Sequence, residues 1–261
     1  MNIIQSLILG IVEGLSEFLP ISSTAHLIIA SKLLAIPSSE FLKTFEISIQ
    51  LGAIAAVVVL YWRRIWQNLS IVWKLAAAFV PTAIIGLILY KIIKNFFMES
   101  LLVIGLALFI GGILLIIFEK WYAKKNKSAE NEQVLELENI SYRQAAMLGV
   151  AQSVAMIPGV SRSAATIVGG LGMGIKRKTI VEFSFLLAIP TMLAATVLDI
   201  YKNPGSINGD HLGVLLVGLI AAFVTAMAGI KFFIKYIQKN DFKAFGWYRI
   251  IIGALVLISL L

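Results

Sequence analysis

The sequence contains no cysteine and only two histidines, His26 and His211. Without cysteine there are no disulfide bonds, no thiolate metal ligands and no cysteine nucleophile. Two histidines are too few for a metal site built from three of them. Charged residues are also scarce, at 14% of the 261 residues, whereas soluble domains average about 25%. Any polar site must therefore be built from carboxylates, hydroxyls, amides, imidazoles and guanidinium groups.

Apolar residues make up 59% of the chain, and its mean hydropathy is +0.93. A soluble domain of this length could not bury so much apolar surface, because the buried fraction is limited by chain length. Lipid is therefore expected to cover the remainder. The net charge of +8 does not indicate a nucleic-acid partner, since the Lys and Arg residues lie between apolar runs, as membrane topology requires.

Six apolar stretches have about the 17–25 residues that a hydrocarbon core of about 30 Å requires. They are residues 46–62, 75–93, 101–118, 180–198, 213–234 and 244–261. Two further apolar regions, 3–36 and 144–175, are broken near the middle by Pro, Ser and Thr. We interpret them as re-entrant helical hairpins, because irregular backbone is tolerated at membrane depth only beside protein or a cavity. The predicted fold is an all-α polytopic membrane protein with six transmembrane helices and two re-entrant hairpins.

The Lys and Arg residues predict the orientation of these spans. If the six crossings alternate, most positive residues fall on one side, in or beside the loops 63–74, 119–143, 175–179 and 235–243. Arg249 is counted with that side, whereas Arg162 lies within the second hairpin. The positive-inside rule makes that side cytoplasmic, so both termini are expected outside.

The two hairpins also resemble each other in sequence. Leu9-Gly10-Ile11 aligns without gaps with Leu148-Gly149-Val150, and the same register pairs Ser22 with Ser161. Each half then contains one hairpin and three crossings, and an odd number of crossings inverts the second copy. We predict a single membrane domain, 1–261, with repeat 1 at about 1–118, a cytoplasmic loop at about 119–143 and repeat 2 at about 144–261. Inverted repeats with broken helices place their polar site at the repeat interface, near mid-membrane.

Glu13 and Glu17 are the only acidic residues of the first hairpin. Their i, i+4 spacing places them on one helix face, about 5–6 Å apart. Two like charges at that distance in a low dielectric cannot both stay ionised unaided, so either one is protonated or a cation lies between them. Mg²⁺ and Ca²⁺ take oxygen ligands and would suit the pair. The alternative is an interfacial helix whose two glutamates face water.

The break in the first hairpin carries a histidine close to three hydroxyls. Pro20 ends the first helix, and Ser22, Ser23 and Thr24 are N-cap candidates for the second. A helix N-terminus favours anions. His26 lies one helical turn after the serines, which would place its imidazole beside a serine hydroxyl, as a base beside a nucleophile. The alternative is a structural histidine.

The second break, in residues 158–166, carries a basic residue without a local partner. Arg162 has no acidic residue within ten positions, and an unpaired arginine at membrane depth is costly. Its planar donor fork matches phosphate oxygens, but an ion pair with a first-hairpin glutamate or Glu46 would also satisfy it. The neighbouring hydroxyls could donate to phosphate or cap backbone groups; they belong to Ser161, Ser163 and Thr166.

At these residues the sequence resembles the undecaprenyl-diphosphate phosphatase family, which is also known for bacitracin resistance. The matching segments are EGLSEFLPISSTAH at 13–26, FEISIQLG at 45–52 and PGVSRSAAT at 158–166. The similarity covers essentially the whole chain, and the family's fold is similar to the predicted layout. The resemblance implies a hydrolase of the bacterial inner membrane that converts the C55 polyprenyl diphosphate to its monophosphate and phosphate. That reaction regenerates the lipid carrier for peptidoglycan synthesis, with the site expected to open outward.

The resemblance also assigns roles to individual residues. Glu13 and Glu17 would bind the divalent cation, Mg²⁺ or Ca²⁺, and Ser23 would attack phosphorus with His26 as its base or proton donor. Arg162 would hold the diphosphate. The supporting hydroxyls would be those of Ser22, Ser161, Ser163 and Thr166. Whether the attacking group is Ser23, His26 or a metal-bound water is left open.

A secondary transporter or lipid flippase for a phosphorylated ligand is the main alternative, because inverted repeats and midplane polar residues are typical of carriers. The combination of a Ser–His pair with a carboxylate pair favours an enzyme, since transport needs no nucleophile. The expected partners are the polyprenyl diphosphate and membrane lipid, and a homodimer is compatible with the sequence.

Overall fold

The computed structural model describes residues 1–92, 100–126, 137–206 and 209–261, and these residues are helical with no β-strand. Among the described residues, short 3₁₀ turns lie at Leu137–Asn139, Val154–Met156 and Gly209–His211. The described α-helices are α1 Ile3–Ser16, α2 Ser23–Leu33, α3 Glu40–Ser48, α4 Gln50–Gln67, α5 Leu69–Ile92, α6 Leu101–Asn126, α7 Tyr142–Ser153, α8 Arg162–Gly172, α9 Arg177–Lys202, α10 Leu212–Ile237 and α11 Lys243–Ile258.

Five stretches of the described residues are long and apolar enough to cross a membrane. They are Glu40–Gln67, Leu69–Leu89, Leu101–Lys125, Arg177–Lys202 and Leu212–Ile237. They confirm the prediction of an all-helical, multi-pass membrane protein and correspond to five of the six predicted spans. Residue 93 of one span and residues 127–136 of the predicted loop lie outside the described residues. α6 continues to Asn126, into the first part of the predicted loop, whose boundaries stay a prediction.

The sixth predicted span is shorter than expected. Residues 244–261 were assigned as a full crossing, but α11 has 16 residues and ends at Ile258. At about 1.5 Å per residue it is shorter than the hydrocarbon core of about 30 Å. A sixth crossing therefore stays a prediction.

The two broken apolar regions, 3–36 and 144–175, each form a pair of short helices separated by a break. α1 and α7 begin with the same capping box, in which Asn2 or Ser141 and the glutamine three residues later satisfy each other's backbone groups. Each break ends at a serine with positive φ, 72° at Ser22 and 73° at Ser161. This conformation is strained for a residue with a side chain. Each serine hydroxyl accepts from the backbone N–H three residues on, which begins α2 and α8.

Small residues let the first helix of each pair pack closely on a long helix. Gly10 faces the backbone of Gly218 on α10, and Gly149 faces the Ala78 carbonyl on α5. A Cβ at either glycine would overlap these backbone atoms, so close approach depends on glycine. Thr225 donates to the Gly10 carbonyl at 3.5 Å, and Thr82 donates to the Gly149 carbonyl at 2.9 Å. In both helix pairs, therefore, a glycine of the first helix packs against a long helix, and a threonine of that long helix donates to the glycine carbonyl.

Large apolar side chains remain exposed on the outward faces of the long helices. Examples are Leu87, Leu114, Leu216, Ile220 and Val224, each more than half exposed. Exposure of this kind on helices of spanning length is what lipid contact requires. Some buried polar residues, among them Glu17, Ser23 and Ser161, instead lie between the helices at the two breaks, whereas Glu119 and Glu182 pair with Arg177 and Arg64.

Candidate active site

The two helix breaks line one cavity of about 200 Å³. α4, α5 and α9 complete its wall, so the cavity lies where both broken pairs meet the long helices. Its polar lining comprises Glu17, Ser22, Ser23, Thr24, Gln50, Thr82, Gln152, Ser161, Arg162 and Thr191. The N-termini of α2 and α8 both end at this cavity, and the partial positive charge of helix N-termini favours an anion there.

The Glu17 carboxylate joins the two breaks. It accepts a hydrogen bond from the Ser23 hydroxyl at Oε2, and at Oε1 it accepts from Arg162, whose Nε and Nη2 lie 3.4 and 3.2 Å away. Arg162 Nη1 donates to the Ser184 carbonyl at 2.6 Å. The Glu17 side chain is 3% exposed and that of Arg162 12%. A serine hydroxyl, a carboxylate and an arginine are thus brought together from segments 145 residues apart.

Arg162 keeps donor capacity in this arrangement. A guanidinium has five N–H donors, and three have acceptors among the described residues, two on Glu17 and one on Ser184. The ion pair that was the alternative to phosphate binding is present, with Glu17 as the partner. Arg162 also lines the cavity, so the ion pair and an anionic ligand are compatible.

Glu13 is fully buried one turn before Glu17, and its two carboxylate oxygens have no hydrogen-bond donor among the described residues. Its electrostatic neighbours are Glu17, Glu46 and Arg162. A buried carboxyl without a donor is costly. Within the described part of the chain no three Asp, Glu or His residues form a cluster that could hold a metal ion. A hard cation held by the glutamate pair would have to take its other oxygens from water or a ligand, as Mg²⁺ commonly does, and this site stays a prediction.

Among the described residues the hydrogen bonds of the His26 imidazole are not to a serine hydroxyl, unlike the pairing expected from the spacing. Its Nδ1 lies 2.7 Å from the Ser22 carbonyl oxygen, and its Nε2 lies 2.7 Å from the Tyr248 hydroxyl, with the two rings stacked. A carbonyl only accepts, so Nδ1 carries the hydrogen, and the Nε2 of a neutral ring accepts from Tyr248. The spacing correctly placed His26 over the start of α2, but the Ser23 hydroxyl turns to Glu17 instead.

The hydroxyls of α8 are used mainly by the backbone. Ser163 donates to the Phe18 carbonyl at 2.9 Å, and Thr166 donates to the Arg162 carbonyl at 2.9 Å. Both residues are fully buried, and neither lines the cavity. Ser161 caps α8 and Ser22 caps α2 while both also line the cavity. Of the open alternatives, backbone bonding therefore describes Ser163 and Thr166, and it ties α8 to the first break.

Sequence reasoning missed Arg249. It was counted as a cytoplasmic flank, but it is 1% exposed and donates to main-chain carbonyls of both breaks, at Pro20, Gly159 and Val160. The available signal was its place inside an apolar stretch, with its nearest acidic residue, Asp241, eight positions away. Thr82 and Thr191 were also missed, because isolated threonines in apolar helices carry no sequence signature.

Comparison with known proteins gives the site its context. The family described as Bacitracin resistance protein BacA matches residues 6–255. The Undecaprenyl-diphosphatase of Aquifex aeolicus is 50% identical over 249 residues, which cover 95% of both chains. That of Wolinella succinogenes is 48% identical over 260 residues, covering 100% of this chain and 99% of the other. That of Persephonella marina is 48% identical over the full length of both. The chain therefore belongs to the BacA family.

Proposed function

We propose that this protein is a bacterial multi-pass membrane enzyme that hydrolyses undecaprenyl diphosphate to undecaprenyl phosphate and phosphate. Its relatives at about half identity are named Undecaprenyl-diphosphatase and match over nearly their whole length. The observation that carries the chemistry is the Glu17 carboxylate between Ser23 and Arg162 in a cavity reached by two helix N-termini. The reaction recycles the lipid carrier for cell-wall synthesis and accounts for the bacitracin-resistance description of the family.

In the proposed reaction Glu17, rather than His26, is the base. Glu17 takes the Ser23 proton as Oγ forms a bond to the terminal phosphorus, the bond from that phosphorus to the bridging oxygen breaks, and undecaprenyl phosphate leaves. Glu17 gives that proton to the departing phosphate oxygen. It then takes a proton from the attacking water as the bond from phosphorus to Ser23 Oγ breaks, returns it to Oγ, and phosphate is released. Arg162 binds the equatorial oxygens, where the transition state spreads its charge. His26 supports this site by fixing the Ser22 carbonyl, next to the nucleophile.

A divalent cation, Mg²⁺ or Ca²⁺, would be held by Glu13 and Glu17. Bound there, it would neutralise charge on the diphosphate. Each carboxylate oxygen has two lone pairs, so Glu17 can accept from Ser23 and Arg162 and still provide a ligand. The donor-free oxygens of Glu13 support this assignment.

For the layout in the membrane we propose the predicted arrangement: re-entrant hairpins 3–36 and 144–175, and inverted repeats at about 1–118 and 144–261 of one domain. The matched capping boxes, the positive-φ serines and the threonines that support Gly10 and Gly149 favour two related halves. A sixth crossing would need α11 to be extended by residues 259–261 or the bilayer to be thinned locally. The cavity would open outward, and the isoprenoid tail would stay in lipid. A homodimer stays a prediction.

A transporter or flippase is not favoured. The relatives are named as hydrolases, and the cavity contains a serine hydroxyl bonded to a carboxylate. Transport of a phosphorylated lipid does not require that pair, whereas phosphoryl transfer to serine does.

The direct test is phosphate release from undecaprenyl diphosphate by the purified protein in detergent, with Mg²⁺, with Ca²⁺ and with a chelator. We expect cation-dependent release that is lost in Ser23→Ala. Ser259→Ala, in which an exposed hydroxyl at the C-terminus is removed, is the matched control and should behave as wild type. Equal release by Ser23→Ala would remove Ser23 as the nucleophile, and no release by folded wild-type protein would overturn the function.

A further inference from the structure

Arg249 lies in the middle of α11 and is almost completely buried. None of the ion pairs found among the described residues includes it. A buried guanidinium without a counter-ion is costly in a membrane protein, and such residues usually serve a function. Arg249 does not line the cavity, so any effect on the reaction must pass through other residues.

Its partners are four main-chain carbonyl oxygens. Nη1 donates to Pro20 at 3.2 Å and to Val160 at 3.0 Å, while Nη2 donates to Gly159 at 3.0 Å and to Ala107 at 3.1 Å. Three of these carbonyls belong to the helix breaks, where irregular backbone needs acceptors and donors from elsewhere. One nitrogen, Nη1, bonds to both breaks. Only a planar fork of donors can satisfy this arrangement, which a lysine ammonium cannot reproduce.

The three break carbonyls that Arg249 binds lie just before the catalytic segments. Pro20 precedes the strained cap Ser22 by two residues, and Val160 directly precedes the equally strained cap Ser161. Fixing these carbonyls fixes where α2 and α8 begin. It therefore also fixes Ser23 and Arg162, the first residues of those helices.

We propose that Arg249 is a positioning residue for phosphoryl transfer, which holds the two helix breaks against each other so that Ser23 and Arg162 meet on Glu17. The inference rests on the proposed function and adds a residue that does not contact the substrate. Small displacements of reacting groups lower turnover strongly, by about 100-fold for roughly 1 Å. Loss of this contact should therefore lower kcat much more than it raises KM.

A glycine on α6 offers a way to move the guanidinium without changing its charge. A Cβ at Gly111 would overlap Nη2 of Arg249 and lie 2.9 Å from its Cζ. Gly105, on the same helix, also faces α11, but its Cβ would lie 2.9 Å from Cδ2 of Leu257, the end of a flexible side chain two turns beyond Arg249. Gly111→Ala and Gly105→Ala thus disturb the same helix pair and differ in whether they reach Arg249.

The test measures kcat and KM for phosphate release from undecaprenyl diphosphate in wild type, Arg249→Lys, Gly111→Ala and Gly105→Ala. Thermal unfolding of each protein in detergent is recorded in parallel. We expect kcat to fall by about 10- to 100-fold in Arg249→Lys and Gly111→Ala, with KM changed by less than about threefold. Gly105→Ala should stay within about twofold of wild type. If Arg249→Lys does not fold, Gly111→Ala decides.

Two results would overturn the inference alone while wild type is active. One is an unchanged kcat in Arg249→Lys or, where that variant does not fold, in Gly111→Ala. The other is an equal fall in Gly111→Ala and Gly105→Ala, which would assign the effect to general packing of α6 on α11. Wild-type protein that folds and releases no phosphate would overturn the proposed function and this inference together.

Discussion

Glu17 is the residue on which the site depends, because both of its oxygens are in use and each serves a different hairpin. The i, i+4 rule predicted that Glu13 and Glu17 would share a face, and the sequence alone indicated that Arg162 needed a phosphate ligand or, as the alternative, a distant acidic partner. Which glutamate would take it was not predictable, since the choice depends on how α8 packs against the first break through Ser163 and Phe18. Sequence spacing shows which residues are neighbours along one helix. Which of two acidic residues pairs with a distant arginine is decided by tertiary packing.

The role of His26 is tested by comparing His26→Gln with His26→Ala. A glutamine amide can still donate to the Ser22 carbonyl, whereas alanine leaves that carbonyl only the backbone N–H of residue 26 as donor, a loss of about 0.5–1.5 kcal/mol. We expect His26→Gln to retain clearly more turnover than His26→Ala, measured as kcat for phosphate release. Tyr248→Phe, which removes only the outer hydrogen bond, should lower kcat least. An equal and complete loss in both His26 variants would place the imidazole itself in the chemistry.

The proposed cation site is tested by Glu13→Gln, which keeps the shape of the side chain and removes its charge. Loss of one of two carboxylate ligands should weaken Mg²⁺ binding by about tenfold or more, because fewer anionic oxygens remain. The measurement is the Mg²⁺ concentration that half-maximally raises the thermal unfolding temperature, which needs no turnover. The exposed Glu40→Gln is the control. An unchanged Mg²⁺ titration in Glu13→Gln would contradict the assignment.

At the scale of elements, the break in each hairpin was predictable because proline and a serine-rich helix start mark it in the sequence. The positive φ of Ser22 and Ser161 was not, since serine rarely adopts it and only the surrounding packing can stabilise it. The length of α11 was overestimated, because hydropathy does not show where a helix ends. Hydropathy continues to residue 261, but the described helix ends at Ile258.

Close packing of α7 on α5 gives an element-scale prediction. Gly149→Ala would place a methyl group against the Ala78 carbonyl, and overpacking of this kind costs about 1–3 kcal/mol. We expect the thermal unfolding temperature in detergent to fall by several degrees. Gly172→Ala, whose added methyl group meets no atom within 4 Å, is the matched control and should be neutral. A Gly149→Ala protein as stable as wild type would show that α7 does not approach α5 so closely.

At the scale of the whole molecule, the charge pattern predicts which ends of the helices face the cytoplasm. α9 spans 26 residues from Arg177 to Lys202, or about 39 Å at about 1.5 Å per residue, so its ends lie on opposite sides. Because the chain lacks cysteine, Lys178→Cys and Tyr201→Cys each create a single thiol at an exposed position. In intact cells an impermeant thiol reagent should label Tyr201→Cys and not Lys178→Cys. The reverse pattern would invert the proposed topology.

The fold as a whole was largely predictable, since the five long helices follow from hydropathy and the two broken pairs from internal similarity. The coupling of the two pairs was not, because it runs through Arg249, which looked like a flanking charge, and through backbone carbonyls, which have no sequence signature. When a site is built from distant segments, the sequence indicates it only through charged residues that have no partner nearby in the chain.

The central claim is that Ser23 and Glu17 act as one catalytic unit, and a double-variant comparison tests it most directly. The measurement is kcat/KM for phosphate release from undecaprenyl diphosphate by wild type, Ser23→Ala, Glu17→Gln and the double variant. Residues that act as a unit show strongly non-additive losses, so the double variant should be about as slow as the slower single variant. Losses that multiply in the double variant would contradict the claim, because they would mean that the serine and the carboxylate contribute independently.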